Sequence, residues 1–202
     1  MPPPLLLADD RALDFLNSCA LPDTQRLEWL GDGAGLLGWL AAAGLAPPEA
    51  VTRFGGNPSA LDAVAAQARD LREWFRGFVA RYAGAAVPGS AEPELAPLNT
   101  LLAQDASCLR VECHGAALAV RRVRDWNAPA ALLQPVAESI AELLSGPGLA
   151  TVRHCEGAGC SLWFRDVSAR QTRRWCSMAL CGNRAKAAAH RAKLKAEAVA
   201  GG

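Results

Sequence analysis

The sequence predicts an α+β protein in which a helix-rich N-terminal domain with a small β-sheet precedes a compact cysteine-rich module. Three observations carry that reading. Apolar residues recur at three-and-four spacing through residues 57–84, the pattern of one buried helix face. Two runs on either side of His114-Gly115 alternate like the strands of a hairpin. Four of the seven cysteines fall within residues 155–181, beyond a Gly146-Pro147-Gly148 boundary. A chain of 202 residues has room for a medium domain and a small one, placed here at 1–148 and 149–202.

The first element, within "LADDRALDFLNSCALP", fits two structures: a short helix with Leu13 and Leu16 at helical spacing, or a buried strand ending at Asn17-Ser18. "GAGLLGWLAAAGLAPPEA" predicts a short helix through Leu36, Leu37, Trp39 and Leu40, stopped by Gly44 and Pro47-Pro48. The helix over 57–84 takes Ser59 as its N-cap, buries a face running from Leu61 to Tyr82, and ends at Gly84. A loop rich in Pro and Gly follows, then a short helix over 97–103. In the hairpin, Cys108 and Cys113 are expected to face the core, as free cysteines commonly do. An amphipathic helix through Leu132, Val136, Ile140 and Leu143 stops at Gly146-Pro147, and Pro135 either kinks it or sits in its first turn.

Composition excludes some classes. Apolar residues make up 51% of the chain, which supports a packed core and rules out wholesale disorder. The net charge of +1 hides a split: residues 151–202 carry ten Lys/Arg against three Asp/Glu, and residues 1–150 eleven against seventeen. No basic segment precedes the first leucines, and "GAGLLGWLAAAGLA" is too short and glycine-rich to span a bilayer. The expectation is a cytoplasmic protein with no membrane partner, in a reducing compartment where clustered thiols bind metal more often than they pair.

Cys155 and Cys160 are separated by four residues, as are Cys176 and Cys181, with fifteen between the pairs. Two close pairs bridged by a strand–turn–strand length of chain is a zinc layout, treble-clef or ribbon in kind. Four thiolates around Zn²⁺ leave no open position for a substrate water, so such a site staples a segment too small to fold on its own core. No Ser/His/Asp constellation or Gly-rich phosphate loop stands elsewhere, so the chain is not expected to be an enzyme. His154 is able to replace a thiol but reads better as a residue beside the site. A zinc ion with four thiolates is formally −2, which still leaves the module about +5.

"CEGAGCSLWFRDVSARQTRR", continued by "WCSMALCGNRAK" (175–186), closely resembles the CGNR zinc finger found at the C-terminus of many bacterial proteins. Cys155, Cys160, Trp163-Phe164, Asp166 and Ser168, Arg173-Arg174, Trp175 to Met178, and Cys181 to Arg184 all match that pattern. Upstream, "LDFLNS" (13–18), "LLGWL", "LREWF" (71–75) and "LN" at 98–99 are similar to the ABATE domain, a stress-responsive regulatory domain usually fused to this finger. The resemblance implies a bacterial transcriptional regulator that binds DNA through the finger. It also singles out Asp14 and Asn17, as ligand-contacting or structural positions. As residue types both suit turn and capping chemistry.

"GNRAKAAAHRAKLKAEAVA", after Cys181, favours a helix. On its wheel Ala185, Ala189, Ala192, Ala196 and Val199 share a thin apolar face. Arg184, Arg191 and Lys195 line one flank, and Lys186 with Lys193 the other. A helix in a major groove can use both flanks, and Arg170, Arg173 and Arg174 would add contacts before Trp175. DNA is therefore the expected partner, and a zinc-stabilised adaptor gripping an acidic protein is the alternative. The N-terminal domain is expected to sense a signal, through an effector the sequence does not identify, or to mediate homodimer assembly.

Overall fold

A computed structural model describes residues 2–22, 25–115, 117–146 and 148–200. The side chains of 114 and 198–200 lie outside that description, so the readings placed on His114, Pro147 and Val199 are not addressed by it. The fold is α+β and mostly helical, with small two-stranded antiparallel sheets. Its elements run α1 (Arg11–Leu16), β1 (Cys19–Ala20), β2 (Leu27–Glu28), α2 (Gly33–Ala42), α3 (Pro48–Gly55), α4 (Asp62–Tyr82), α5 (Ala96–Leu102), β3 (Cys108–His114), β4 (Ala117–Val123), α6 (Gln134–Ser145), β5 (Val152–His154), β6 (Trp163–Arg165) and α7 (Asn183–Ala200). By contacts these form two compact units that are not linear segments. One gathers Met1–Trp29, Phe75–Ala86 and Leu143–Gly202; the other gathers Leu30–Trp74 and Val87–Glu142.

In the second of these units, α2 starts at Asp32, whose carboxylate accepts the Gly35 N–H at 2.7 Å, and Gly44 follows it at φ +67°. Pro47-Pro48 does more than stop that helix. Pro48 opens α3, an element the sequence reading missed, because a first-turn proline gives up an N–H with no intrahelical partner. The long helix α4 begins at Asp62, and Ser59 does not cap it. Residues Pro58–Leu61 form a 3₁₀ turn, and the Ser59 hydroxyl bonds to Asn57 Oδ1 at 2.9 Å. Leu61, Val64, Ala65 and Ala68 are buried at the expected spacing.

Pro135 stands in the first turn of α6, after a 3₁₀ turn over Pro129–Leu133, so no kink is needed. Strands β3 and β4 pair in register with Val111 opposite Val120, and Gly115 turns between them at φ +63°. Cys108 and Cys113 are exposed, against the expectation that they face the core. An isolated two-stranded ribbon has no second layer to bury them.

In the unit that holds the cysteine cluster, the first element is a helix and not a strand. Asp10 accepts the N–H groups of Ala12 at 2.9 Å and Leu13 at 3.3 Å, which supplies the cap. Leu13, Phe15 and Leu16 are buried. The last turns of α4 add buried Phe75, Phe78 and Val79, and Arg76 donates to the Leu16 carbonyl at 2.7 Å. Strands β5 and β6 pair with Val152 opposite Arg165 and His154 opposite Trp163. Among the described residues, no helix is long and apolar enough to cross a membrane.

Candidate metal centre and cationic surface

The four predicted cysteines converge. Cys155, Cys160, Cys176 and Cys181 are all buried, and their sulfurs lie within 4.8 Å of one another. Two loops place them. After β5, Cys160 N–H bonds back to the Gly157 carbonyl at 3.0 Å, and Gly159 at φ +73° turns the chain. Gly157 itself is required by space: a Cβ there would stand 2.7 Å from Cys181 Sγ. On the other side, Ser177 caps a π-helical turn over Met178–Gly182 by accepting the Leu180 N–H at 3.0 Å. That turn delivers Cys181 at the head of α7.

A tetrahedral zinc ion holds its thiolate sulfurs about 2.3 Å from itself and hence roughly 3.8 Å apart. The separations here, 4.0 Å for Cys160–Cys176 and 3.6 Å for Cys176–Cys181, suit that ion. Charge makes the same point. The hydrogen bond from Cys176 holds the Cys160 thiol down to about 5, and that contact with burial pushes Cys176 far up. Crowded sulfurs cannot all ionise without a divalent cation among them.

The surroundings also favour thiolates. Cys155 Sγ accepts backbone N–H groups from Cys176 at 3.2 Å and Gly157 at 3.4 Å, and Arg184 Nη2 reaches Cys181 Sγ at 3.2 Å. His154 is not a ligand. Its ring packs edge-on to Trp163, 4.9 Å between centroids.

A second layer fixes the loop between the cysteine pairs. The buried Asp166 carboxylate accepts Ser168 N–H at 3.0 Å, Ser168 Oγ at 2.6 Å and Arg173 N–H at 2.9 Å. Burial works against its charge, but these donors outweigh it and hold the carboxyl below its ordinary range. Arg173 turns inward. Its guanidinium donates to the carbonyls of Trp175 and Leu7, both at 3.0 Å, and also to the Cys176 carbonyl and the Asp9 carboxylate. It lies 4.3 Å from the Phe164 ring centroid.

The N-terminal segment is built into this unit. Asn17 Nδ2 donates to the Trp163 carbonyl at 2.8 Å, and its Oδ1 accepts the Trp163 N–H at 3.0 Å. Leu21 N–H bonds to Ser161 Oγ at 2.8 Å, and the Leu21 carbonyl accepts the Ser161 N–H at 3.1 Å. Asp14 accepts the Ala8 N–H at 3.0 Å, while the Ala8 carbonyl accepts the Arg165 N–H at 2.8 Å. Both residues thus have structural work here.

The seven basic residues picked from the sequence part company in space. Arg173 and Arg184 serve the module itself, Arg184 through Cys181 and the Pro22 carbonyl at 2.6 Å. Arg174 is exposed, bonded to Glu156 at 2.6 Å and lying 5.0 Å from the Trp175 ring centroid. Arg170, Lys186, Arg191 and Lys193 are exposed, as is Lys195, and Lys193 faces Glu197 at 3.7 Å. From Lys186 to Glu197 every residue of α7 is exposed, including Ala189, Ala192 and Ala196 of its thin apolar face. Gly157 and Ser161 were missed by sequence reasoning, as was the capping role of Ser177, which is matched only as part of the family pattern. Only Ser177 had a signal, as a capping residue type just ahead of a helix.

Two family models cover nearly the whole chain. ABATE, described as "Putative stress-induced transcription regulator", matches residues 9–147, and the CGNR zinc finger matches residues 151–193. No curated protein matches the chain. The metal these four cysteines hold is a structural zinc ion.

Proposed function

Because the chain belongs to the ABATE family of transcription regulators and ends in a CGNR zinc finger, we propose that it binds DNA through the exposed cations of that finger. One observation carries the reading: α7 bears its cations along residues 186–197, where every residue is exposed. A helix this exposed, with only a thin apolar face, gains little from tertiary burial, so its cations are open to a partner. Arg170, Arg174, Lys186, Arg191, Lys193 and Lys195 supply the charge. Zinc has no chemical step in this proposal. It fixes the turn that aims α7, and an all-thiolate site suits a non-catalytic protein.

Arg173 and Arg184 leave the set of DNA contacts in this reading, since their donors are taken by the finger. The other unit supplies regulation. Its cavity of about 340 Å³, lined by Gln67, Asp70, Trp74, Thr100, Leu101 and Gln104, has the size and mixed polarity of an effector site. The cytoplasm, where DNA and reduced thiols coexist, is the matching compartment.

The experiment is DNA binding by the zinc-loaded chain across a salt series, with Cys181→Ser as the unfolded-finger control. Six phosphate contacts give a log–log slope of about −5. A flat salt response, or equal affinity in the control, sinks the proposal. It would turn attention to an acidic protein as the partner of α7.

A further inference from the structure

The β3–β4 hairpin wears its amphipathicity inside out. The pairing of Val111 with Val120, Cys113 with Leu118 and Leu109 with Arg122 puts these six residues on one face. Arg110, Glu112 and Arg121 lie on the other. Those charges are engaged within their own unit: Arg121 stands 3.7 Å from Glu112 and 3.8 Å from Glu49. The aliphatic face is open. Leu109 is 67% exposed, Val111 63%, Leu118 73% and Val120 67%. A lone hairpin is marginal in water without a covering layer, and a continuous aliphatic patch on it marks an interface.

We propose that a second copy of this chain covers the face, hairpin against hairpin, in an antiparallel twofold arrangement. Area supports it. A buried aliphatic side chain covers roughly 100 Å², so four two-thirds open on each copy bring together some 500 Å² or more of apolar surface at the centre. The strand backbones, Cys113 and the stem of Arg122 extend this toward the roughly 1,200 Å² of a small stable interface.

Charge selects the occupant and its orientation. The one charged group on the face, Arg122, is held by Glu138 at 3.5 Å and by Ser107 Oγ at 2.9 Å. The face therefore offers nucleic acid neither an unpaired cation nor an aromatic ring. Antiparallel docking lays the Leu109/Arg122 end of one hairpin over the Cys113/Leu118 end of the other. The two guanidiniums stay at opposite ends, whereas parallel docking would bring both to the same end, each over the other copy's Leu109. Val111 and Val120 then meet their own counterparts at the axis, the self-complementarity an isologous contact needs. This assembly is independent of whether α7 meets DNA.

Sedimentation of the full zinc-loaded chain, without DNA, tests it from micromolar to sub-millimolar concentration. The expected mass rises to twice the 21.2 kDa of one chain. Val120→Glu and Val111→Lys each put charge on the axis and should stay at the single-chain mass, with unchanged circular dichroism and zinc content. Arg110→Ala, on the opposite face, should remain dimeric. A wild-type chain that stays single throughout overturns the proposal, as does a Val120→Glu chain that still dimerises.

Discussion

Asn17 and Trp163, 146 residues apart, exchange two hydrogen bonds, so one amide side chain pairs with β6 as a neighbouring strand would. The contact joins the end of α1 to the strand that follows the first cysteine pair. Asn17→Ala would strand a half-buried carbonyl and N–H, at a cost of about 1–3 kcal/mol. Urea unfolding of the zinc-loaded chain should show that loss. Asn17→Asp should do no better, because it keeps an acceptor for the N–H but turns a carboxylate onto the Trp163 carbonyl.

Arg173 and Arg170 separate structure from binding. Arg173→Ala removes a guanidinium bonded to four carbonyls and a carboxylate, and should lower the unfolding midpoint and the zinc affinity together. Arg173→Lys should recover little, since an ammonium lacks the planar fork. Arg170→Ala, at an exposed position, should leave stability within about 0.5 kcal/mol of wild type. In the salt series it should reduce the slope by about 1. Equal behaviour of the two alanine variants would contradict this division.

Gly157→Ala tests the metal pocket directly. The added methyl must displace Cys181 Sγ, and overpacking of this kind costs about 1–3 kcal/mol, some tenfold or more in zinc affinity. Competition against a zinc indicator measures it. Removing the metal altogether, by chelation or Cys181→Ser, should unfold the finger and release α7, seen as lost helical circular dichroism and new proteolytic cleavage after residue 150.

Two carboxylates should titrate far from their usual range, in opposite directions. Burial raises Asp14 to about 6, against the pull of the Ala8 and Leu7 N–H groups, with Asp10 and Asp9 adding to the rise. Its contribution to stability is fully present below about pH 4 and is lost as pH rises toward 6. The Arg124 hydrogen bond lowers Asp105 to about 2, so its contribution holds above about pH 4 and disappears as pH falls through 2. Carboxyl-carbon NMR should find midpoints near those values. Arg124→Gln should move Asp105 back up while leaving Asp14 unchanged.

Features written in neighbouring residues were legible in the chain. The zinc ligands follow from spacing, α4 from its apolar period, the hairpin from alternation about Gly115, and the charge split from composition. All are short-range patterns that backbone geometry turns into structure without reference to the rest of the fold. The missed or open elements depended on local chemistry with two solutions. Pro48 can end one helix or begin the next, and Ser59 can cap α4 or brace the turn before it.

Tertiary structure alone decided the rest. A guanidinium has the same formula whether it meets phosphate or a ring of carbonyls, and only the fold brings Leu7, Trp175 and Cys176 around Arg173. The same holds for Asn17, whose partner lies on a strand near the other end of the chain, and for the hairpin, whose alternation marks an aliphatic face without saying which way it points. Pattern specifies which residues can be buried or charged together. Which of them are depends on long-range packing, where each group's partners are chosen by everything else that has to fit.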